Sequence, residues 1–166
     1  ASGPLAGLPI AIKDLADTAG ITTSYGSPLF ANHVPKADSS MVAALRNAGA
    51  IVIGKTNTPE WGLGSHSYNP VYGVTRNPYN TAKSAGGSSG GAGVALATRM
   101  TALADGSDMM GSLRNPAGWN NVFGFRPSYG LVTNSGPVDT FMSQLSTNGP
   151  MARHVADLEL LLKLQA

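Results

Sequence analysis

The chain has 166 residues, of which only 12% are charged against the roughly 25% of an average soluble domain. With 42% hydrophobic residues and no run of about 20 apolar positions, it reads neither as a disordered chain nor as one that spans a membrane by a helix. A net charge of +2 with no basic stripe argues against nucleic acid, and zero cysteines exclude disulfides, thiolate metal centres and a cysteine nucleophile; no leader pattern is read, and the expected compartment is a reducing cytoplasm.

Leu8 to Asp14 predicts a short buried strand, because β-branched residues follow a Gly-Leu-Pro lead-in. Residues 15–36 are rich in turn formers and read as loop with short local structure. Ala37-Asp38-Ser39-Ser40 supplies N-cap chemistry ahead of Met41, Val42 and Leu45, with Gly49 as the stop, which predicts a helix over 39–48. Ile51-Val52-Ile53 follows as a strand. Strand, helix and strand in that order point to a parallel βαβ unit in a sheet covered by helices. Thr58 as N-cap and Pro59 at the first helical position open a short helix. Residues 65–89, with Asn-Pro at 69–70 and 77–78, read as a long functional loop without extended strands. Ala92 to Met100 predicts a helix packed closely on the sheet. Thr101 to Ala104 predicts a strand ending at Asp105-Gly106, and Val122 to Phe125 a further one. Residues 153–165 close the chain with a helix carrying Val155, Leu158, Leu161 and Leu162 on one stripe.

Two short patterns match familiar expressions. Gly49 to Thr56 satisfies GxxxxGK[ST], the phosphate-binding loop, yet its middle residues Ala50-Ile51-Val52-Ile53 want to be strand and no helix opens after Lys55. Ordinary strand-end geometry is the favoured reading there, with a phosphate-binding module as the rival. Gly86-Gly87-Ser88-Ser89-Gly90 satisfies GxSxG, but the preceding Asn80 to Ala85 reads as polar loop instead of an apolar strand. The only downstream histidine, His154, reads as solvated or as an interhelix residue. His33 and His66 lack carboxylates at metal spacing, so no metal site is expected. Trp61 and Trp119 read as packing residues before substrate platforms, although Trp61 and Tyr68 flank the long loop where they could line a pocket, and Asp108 and Arg114 are expected to brace the turn around Ser112.

Taken as a set, the blocks resemble the amidase signature family, whose members hydrolyse carboxamides with a Ser-Ser-Lys triad. The resemblance runs through Pro4 to Asp14, Gly54-Lys55-Thr56-Asn57 with Pro59-Glu60 and Gly62, Ala85 to Gly91, Gly111 to Arg114, Gly124 to Ser128, and Gly149 to Arg153. Ser88 and Ser112 stand 24 positions apart, as in the family. The resemblance implies an α/β fold with a mostly parallel or mixed sheet covered by helices, residues 1–166 being the catalytic core and a fragment of a longer single domain. It implies Ser112 as nucleophile, Ser88 as bridging serine after a cis peptide bond, and Lys13 as general base. Backbone N–H groups of Met109, Met110, Gly111 and Ser112 would form the oxyanion hole. No metal or organic cofactor is implied; the expected partners are a small-molecule amide and the remainder of its own chain, with room for a homodimer and no role for nucleic acid or membrane.

The chemistry suits those residue types. A serine hydroxyl needs a base to accept its proton, and a lysine can serve only when neutral, which burial favours by lowering its pKa. One hydroxyl can accept from one partner while donating to another, as a bridging serine must. Where the family commonly has Thr-Gly-Gly-Ser, this chain has Met109-Met110-Gly111-Ser112, and a positive φ at Met110 would cost on the order of 1–2 kcal/mol. That variant is similar to bacterial members acting on linear or cyclic amides, including hydrolases of nylon oligomers. A second rival keeps the family fold as a non-hydrolytic subunit or scaffold that lost activity through Met109 and Met110.

Overall fold

The computed structural model describes residues 2–133 and 144–166. Strand β1 (Pro9–Lys13) leads through a loop, with one 3-10 turn at Pro28–Phe30, into helix α1 (Ser40–Asn47) and strand β2 (Ile51–Thr56). β1 and β2 pair in parallel, the βαβ unit expected from the β-branched runs. Gly49, at φ +94, makes the turn that releases α1 into β2. Ser39 occupies the N-cap of α1, but its hydroxyl makes no cap hydrogen bond.

The expected helix after Thr58 is a single 3-10 turn, Glu60–Gly62, with Pro59 in the cap position instead of the first helical one. Residues 65–89 are more ordered than a loop. They fold into two small antiparallel hairpins, β3 (Tyr68–Asn69) with β4 (Gly73–Val74), and β5 (Arg76–Asn77) with β6 (Asn80–Ser84). The two Asn-Pro dipeptides make the turns. Asn69 Oδ1 accepts from the amides of Val71 and Tyr72 at 2.9 and 2.8 Å, and Asn77 Oδ1 accepts from Tyr79 at 2.9 Å.

Helix α2 (Gly90–Ala97), strand β7 (Leu103–Asp108), helix α3 (Arg114–Trp119), strand β8 (Phe123–Gly124), strand β9 (Thr147–Ala152) and helix α4 (Val155–Gln165) complete the described chain. The main sheet is mixed, in the order β2-β1-β7-β9-β8, with β9 antiparallel to both neighbours. Its pleat sorts side chains between two layers. Ile10, Ile12, Leu103 and Ala152 pack with Met41, Val42 and Leu45 of α1 and Leu161 of α4. Ala104 and Met151 pack with Ala92 and Leu96 of α2 and Ala117 of α3. Lys13, one step beyond Ile12, therefore points into the α2 layer. No helix among the described residues is long and apolar enough to cross a membrane.

Candidate active site

The carboxyl ends of the parallel neighbours β1 and β7 meet the loop that opens α2, the edge where sheets of this kind bind ligands. β1 ends in Lys13, which is 1% exposed. Its Nζ donates to Ser88 Oγ at 2.7 Å, Ser89 Oγ at 2.8 Å and Ser107 Oγ at 3.0 Å. Its backbone N–H donates to Asp105 Oδ1 at 2.7 Å, which fixes the strand end against β7. Burial lowers the Lys13 pKa from 10.5 to about 7, and the nearby charges of Asp105 and Asp108 oppose that fall without cancelling it. Burial likewise raises the pKa of Asp105, against the Lys13 amide and the charges of Lys55 and Lys13.

Ser88 and Ser89 sit in the glycine-rich turn before α2, and the Gly87–Ser88 peptide bond is cis. Close backbone packing requires glycine here: a Cβ on Gly91 would lie 2.2 Å from the Asn57 amide nitrogen, and one on Gly90 2.4 Å from Ser67 Oγ. Ser67 staples the turn from outside, donating to the Ser88 carbonyl at 3.2 Å and accepting from the Gly90 amide at 2.9 Å.

Ser112 lies on the turn leaving β7, half-buried, and its carbonyl accepts from the Ser89 amide at 3.2 Å. The two serine loops are thus joined by backbone, while the Ser112 hydroxyl makes no hydrogen bond among the described residues. Asp108 braces this turn, as expected, with more partners than the sequence suggested. Its carboxylate is fully buried and accepts from the amides of Gly111 at 2.7 Å and Leu113 at 3.1 Å, from Arg114 at 3.0 Å and from Arg126 at 3.0 Å. Burial alone would raise its pKa; the Arg114 hydrogen bond, the two amides and the Arg114 charge outweigh burial and hold it well below the usual carboxylate range. Because Gly111 donates to Asp108, the amides of Met109, Met110 and Ser112 are the expected hole donors left without a partner among the described residues. Met110 is not one of the positive-φ residues, which among the described residues are Tyr25, Trp61, Arg99 and Asn121 besides glycines, so the backbone cost considered for it does not arise. Its side chain is 87% exposed.

Lys13, the serine pair 88–89 and Ser112, all singled out in the sequence, lie at one edge, and Ser107 and Arg126 join them there without having been expected. Ser107 carried no local signal: regular alternation along β7 would set it with Leu103 and Asp105, away from the α2 layer, yet near the strand end its hydroxyl meets Lys13 Nζ. Arg126 is far in sequence from Asp108 and carried no local signal. The phosphate-loop rival is overturned: residues 51–56 are strand β2, and Lys55 is tied to Ala16 O at 2.5 Å, Thr18 Oγ1 at 2.8 Å and Thr23 Oγ1 at 3.1 Å. The residues before Ser88 do form a strand, β6, but in a two-stranded hairpin outside the main sheet, unlike a nucleophile elbow. His154 is exposed, and no group of three or more metal-ligating side chains occurs among the described residues.

The family model described as Amidase matches residues 1–166. A glutamyl-tRNA(Gln) amidotransferase subunit from Saccharolobus solfataricus is 44% identical over 164 residues, which is 99% of this chain and 34% of that protein. The structure of a 6-aminohexanoate cyclic dimer hydrolase complexed with substrate superposes with a TM-score of 0.94 at 34% identity, covering 99% of this chain and 35% of that one. Native peptide amidase from Stenotrophomonas maltophilia superposes with a TM-score of 0.90 at 40% identity, covering 99% and 34%. The chain spans about a third of the length of the curated relatives it matches.

Proposed function

The chain belongs to the amidase family, and from that premise we propose that it carries the catalytic core of an enzyme that cleaves carboxamide C–N bonds through an acyl-enzyme on Ser112. Neutral Lys13 accepts a proton from Ser88, Ser88 accepts one from Ser112, and the Ser112 oxygen attacks the amide carbon. The oxygen of the tetrahedral intermediate takes hydrogen bonds from backbone amides of the Met109 to Ser112 turn, of which those of Met109, Met110 and Ser112 have no partner among the described residues. Such donors are each worth roughly 2.7–4 kcal/mol in hydrolases. The relay then runs backward to protonate the departing amine, and water attacks the acyl-enzyme by the same route.

The observation that carries this reading is Lys13 itself, buried, with a pKa near 7 and a serine hydroxyl 2.7 Å away. A buried lysine with that pKa is half neutral at physiological pH, which a base must be. Ser112→Ala in the full-length protein is expected to abolish amide hydrolysis and covalent labelling by a fluorophosphonate. Wild-type-like turnover in Ser112→Ala would overturn the nucleophile, and failure of the intact wild type to label would favour the non-hydrolytic scaffold.

The 44% identity to an amidotransferase component favours a second reading, in which the amine expelled as the same acyl-enzyme forms passes to another polypeptide of a complex and water then removes the acyl group. Amide hydrolysis by the purified protein on its own separates the two, since a transferase component is expected to depend on its partners.

A further inference from the structure

We propose that Trp61 is the aromatic wall of the substrate cleft and selects carboxamides that carry a flat aromatic ring beside the scissile bond; this rests on the amide-cleaving reading given above. Trp61 borders a cleft of about 500 Å³ together with Glu60, Leu63, Ser65, His66 and Tyr68. Two contacts tie that cleft to the serine loop. A Cβ on Gly62, the next residue after Trp61, would lie 3.7 Å from Ser88 Oγ, and a Cβ on Gly87 would lie 2.8 Å from the His66 amide nitrogen.

The ring is held before any ligand arrives. Trp61 has φ +55 and Tyr25 has φ +54, a backbone state that bulky residues rarely adopt and that persists only where surrounding structure enforces it. The enforcing contacts are mutual. The Trp61 amide donates to Tyr25 O at 2.7 Å, the two rings stack at 5.3 Å and 9°, and Phe30 meets the indole edge-on at 5.2 Å and 83°. The Tyr25 hydroxyl is fixed in turn by Asp17 at 2.5 Å. One face of the indole is thus covered, while the side chain as a whole remains 45% exposed beside the cleft. A fixed aromatic plane with one open face favours a second plane, because offset stacking needs no further ordering of the wall.

The test compares three amides in the full-length protein: benzamide with its ring on the acyl side, acetanilide with its ring on the amine side, and ringless acetamide. In Trp61→Ala and in Trp61→Leu, which keeps apolar bulk over Tyr25, the kcat/KM ratio of one aryl amide to acetamide is expected to fall about tenfold, chiefly through KM. Trp61→Phe is expected to restore most of it, and the aryl amide affected identifies the side of the bond that faces the wall. Unchanged ratios in both variants would overturn the proposal and leave Trp61 as a packing residue under other parts of the protein. If wild type cleaves none of the three, fluorophosphonate labelling of Ser112 judges the amide-cleaving reading, and binding decides the wall by itself. Saturable quenching of tryptophan emission by benzamide or acetanilide that Trp61→Phe removes supports it, and no quenching, or quenching that survives Trp61→Phe, overturns it.

Discussion

A buried lysine and a half-buried one stand at or near the ends of neighbouring parallel strands, and only the first meets the serine loops. Lys13 closes β1 and Lys55 lies near the end of β2, with Ile12 opposite Lys55 and Lys13 opposite Thr56 in the register. The pleat therefore sends the two ammonium groups to opposite faces of the sheet. Burial lowers both, Lys13 to about 7 and Lys55 to about 8, with neighbouring aspartates opposing the fall in each case. Their partners differ in kind. Lys13 meets three serine hydroxyls, two of them on a loop whose backbone holds Ser112. Lys55 meets the Ala16 carbonyl and the hydroxyls of Thr18 and Thr23, each of which is itself bound to a nearby carbonyl. A carbonyl can accept but cannot pass a proton on, so Lys55 closes the loop after β1, while the hydroxyl partners of Lys13 include Ser88, the relay of the proposed mechanism. A depressed lysine pKa alone does not distinguish a base from a structural tie; the onward connection of its partner does.

The sharpest way to break this distinction is to remove each charge while keeping the stem. Lys13→Met is expected to lower kcat/KM for any amide that the full-length protein cleaves by on the order of 10^3-fold or more, the upper range for a lost general base, with thermal stability kept or raised. Lys55→Met is expected to do the reverse. Buried acceptors left short of a donor cost about 1–3 kcal/mol, and turnover per folded molecule should stay within about threefold. A large turnover loss in both variants, with folding intact, would mean that Lys55 also serves the reaction.

The pH profile sharpens the same point with a smaller effect. As the proposed base, Lys13 must be neutral, so kcat/KM should fall about tenfold per pH unit below a pKa near 7 and level off above it. Lys55, near 8, should leave no inflection. Stability responds to both lysines in one direction. Each folded-state pKa lies below the ordinary 10.5, so the folded protein binds fewer protons between about 7 or 8 and 10.5, and these two groups make stability rise with pH across that window. An inflection near 8 in kcat/KM that Lys55→Met removes would contradict the division of roles.

How much of this was legible in the sequence depends on how local its cause was. β1, α1 and β2 follow from apolar runs and the Gly49 stop, although the expected Ser39 cap bond is not made, and the two serines and Lys13 were readable from the blocks that resemble the family. Strand β9 was invisible: Thr147–Ala152 contains Asn148, Gly149 and Pro150 and no β-branched run, and it is a strand only because Pro150 and Gly149 lie opposite Asp105 and Gly106 of β7. Helix α3 was hidden by Pro116, which is tolerated because it stands in the first turn, where an amide has no helical partner anyway. The strands of 65–89 escaped because they are two to five residues long and depend on asparagine turns. At the site the missed groups, Ser107 and Arg126, reach it through sheet pairing and a long-range ion pair, neither of which leaves a trace in a local window.

The smallest expected effect probes Lys55 through one of its acceptors. Thr18 is fully buried, and its hydroxyl accepts from Lys55 at 2.8 Å while donating to Ala16 O at 3.1 Å. Thr18→Val keeps the branched shape and removes both bonds, so Lys55 retains Ala16 O and Thr23 Oγ1 and the fold survives. The loss should be about 1–2 kcal/mol, the size of a hydrogen bond to a charged group in a partly compensated site. Its pH dependence identifies the cause. Below about 8 Lys55 is protonated and needs acceptors, so the destabilisation should be largest there and shrink as the ammonium is neutralised at higher pH. Thermal denaturation of Thr18→Val and wild type between pH 6 and about 10 measures this directly, and the kcat/KM limb near 7 should not move. A pH-independent loss would assign the effect to packing of the threonine methyl and hydroxyl alone, and a shifted limb would show that the loop tied by Lys55 reaches the base at Lys13.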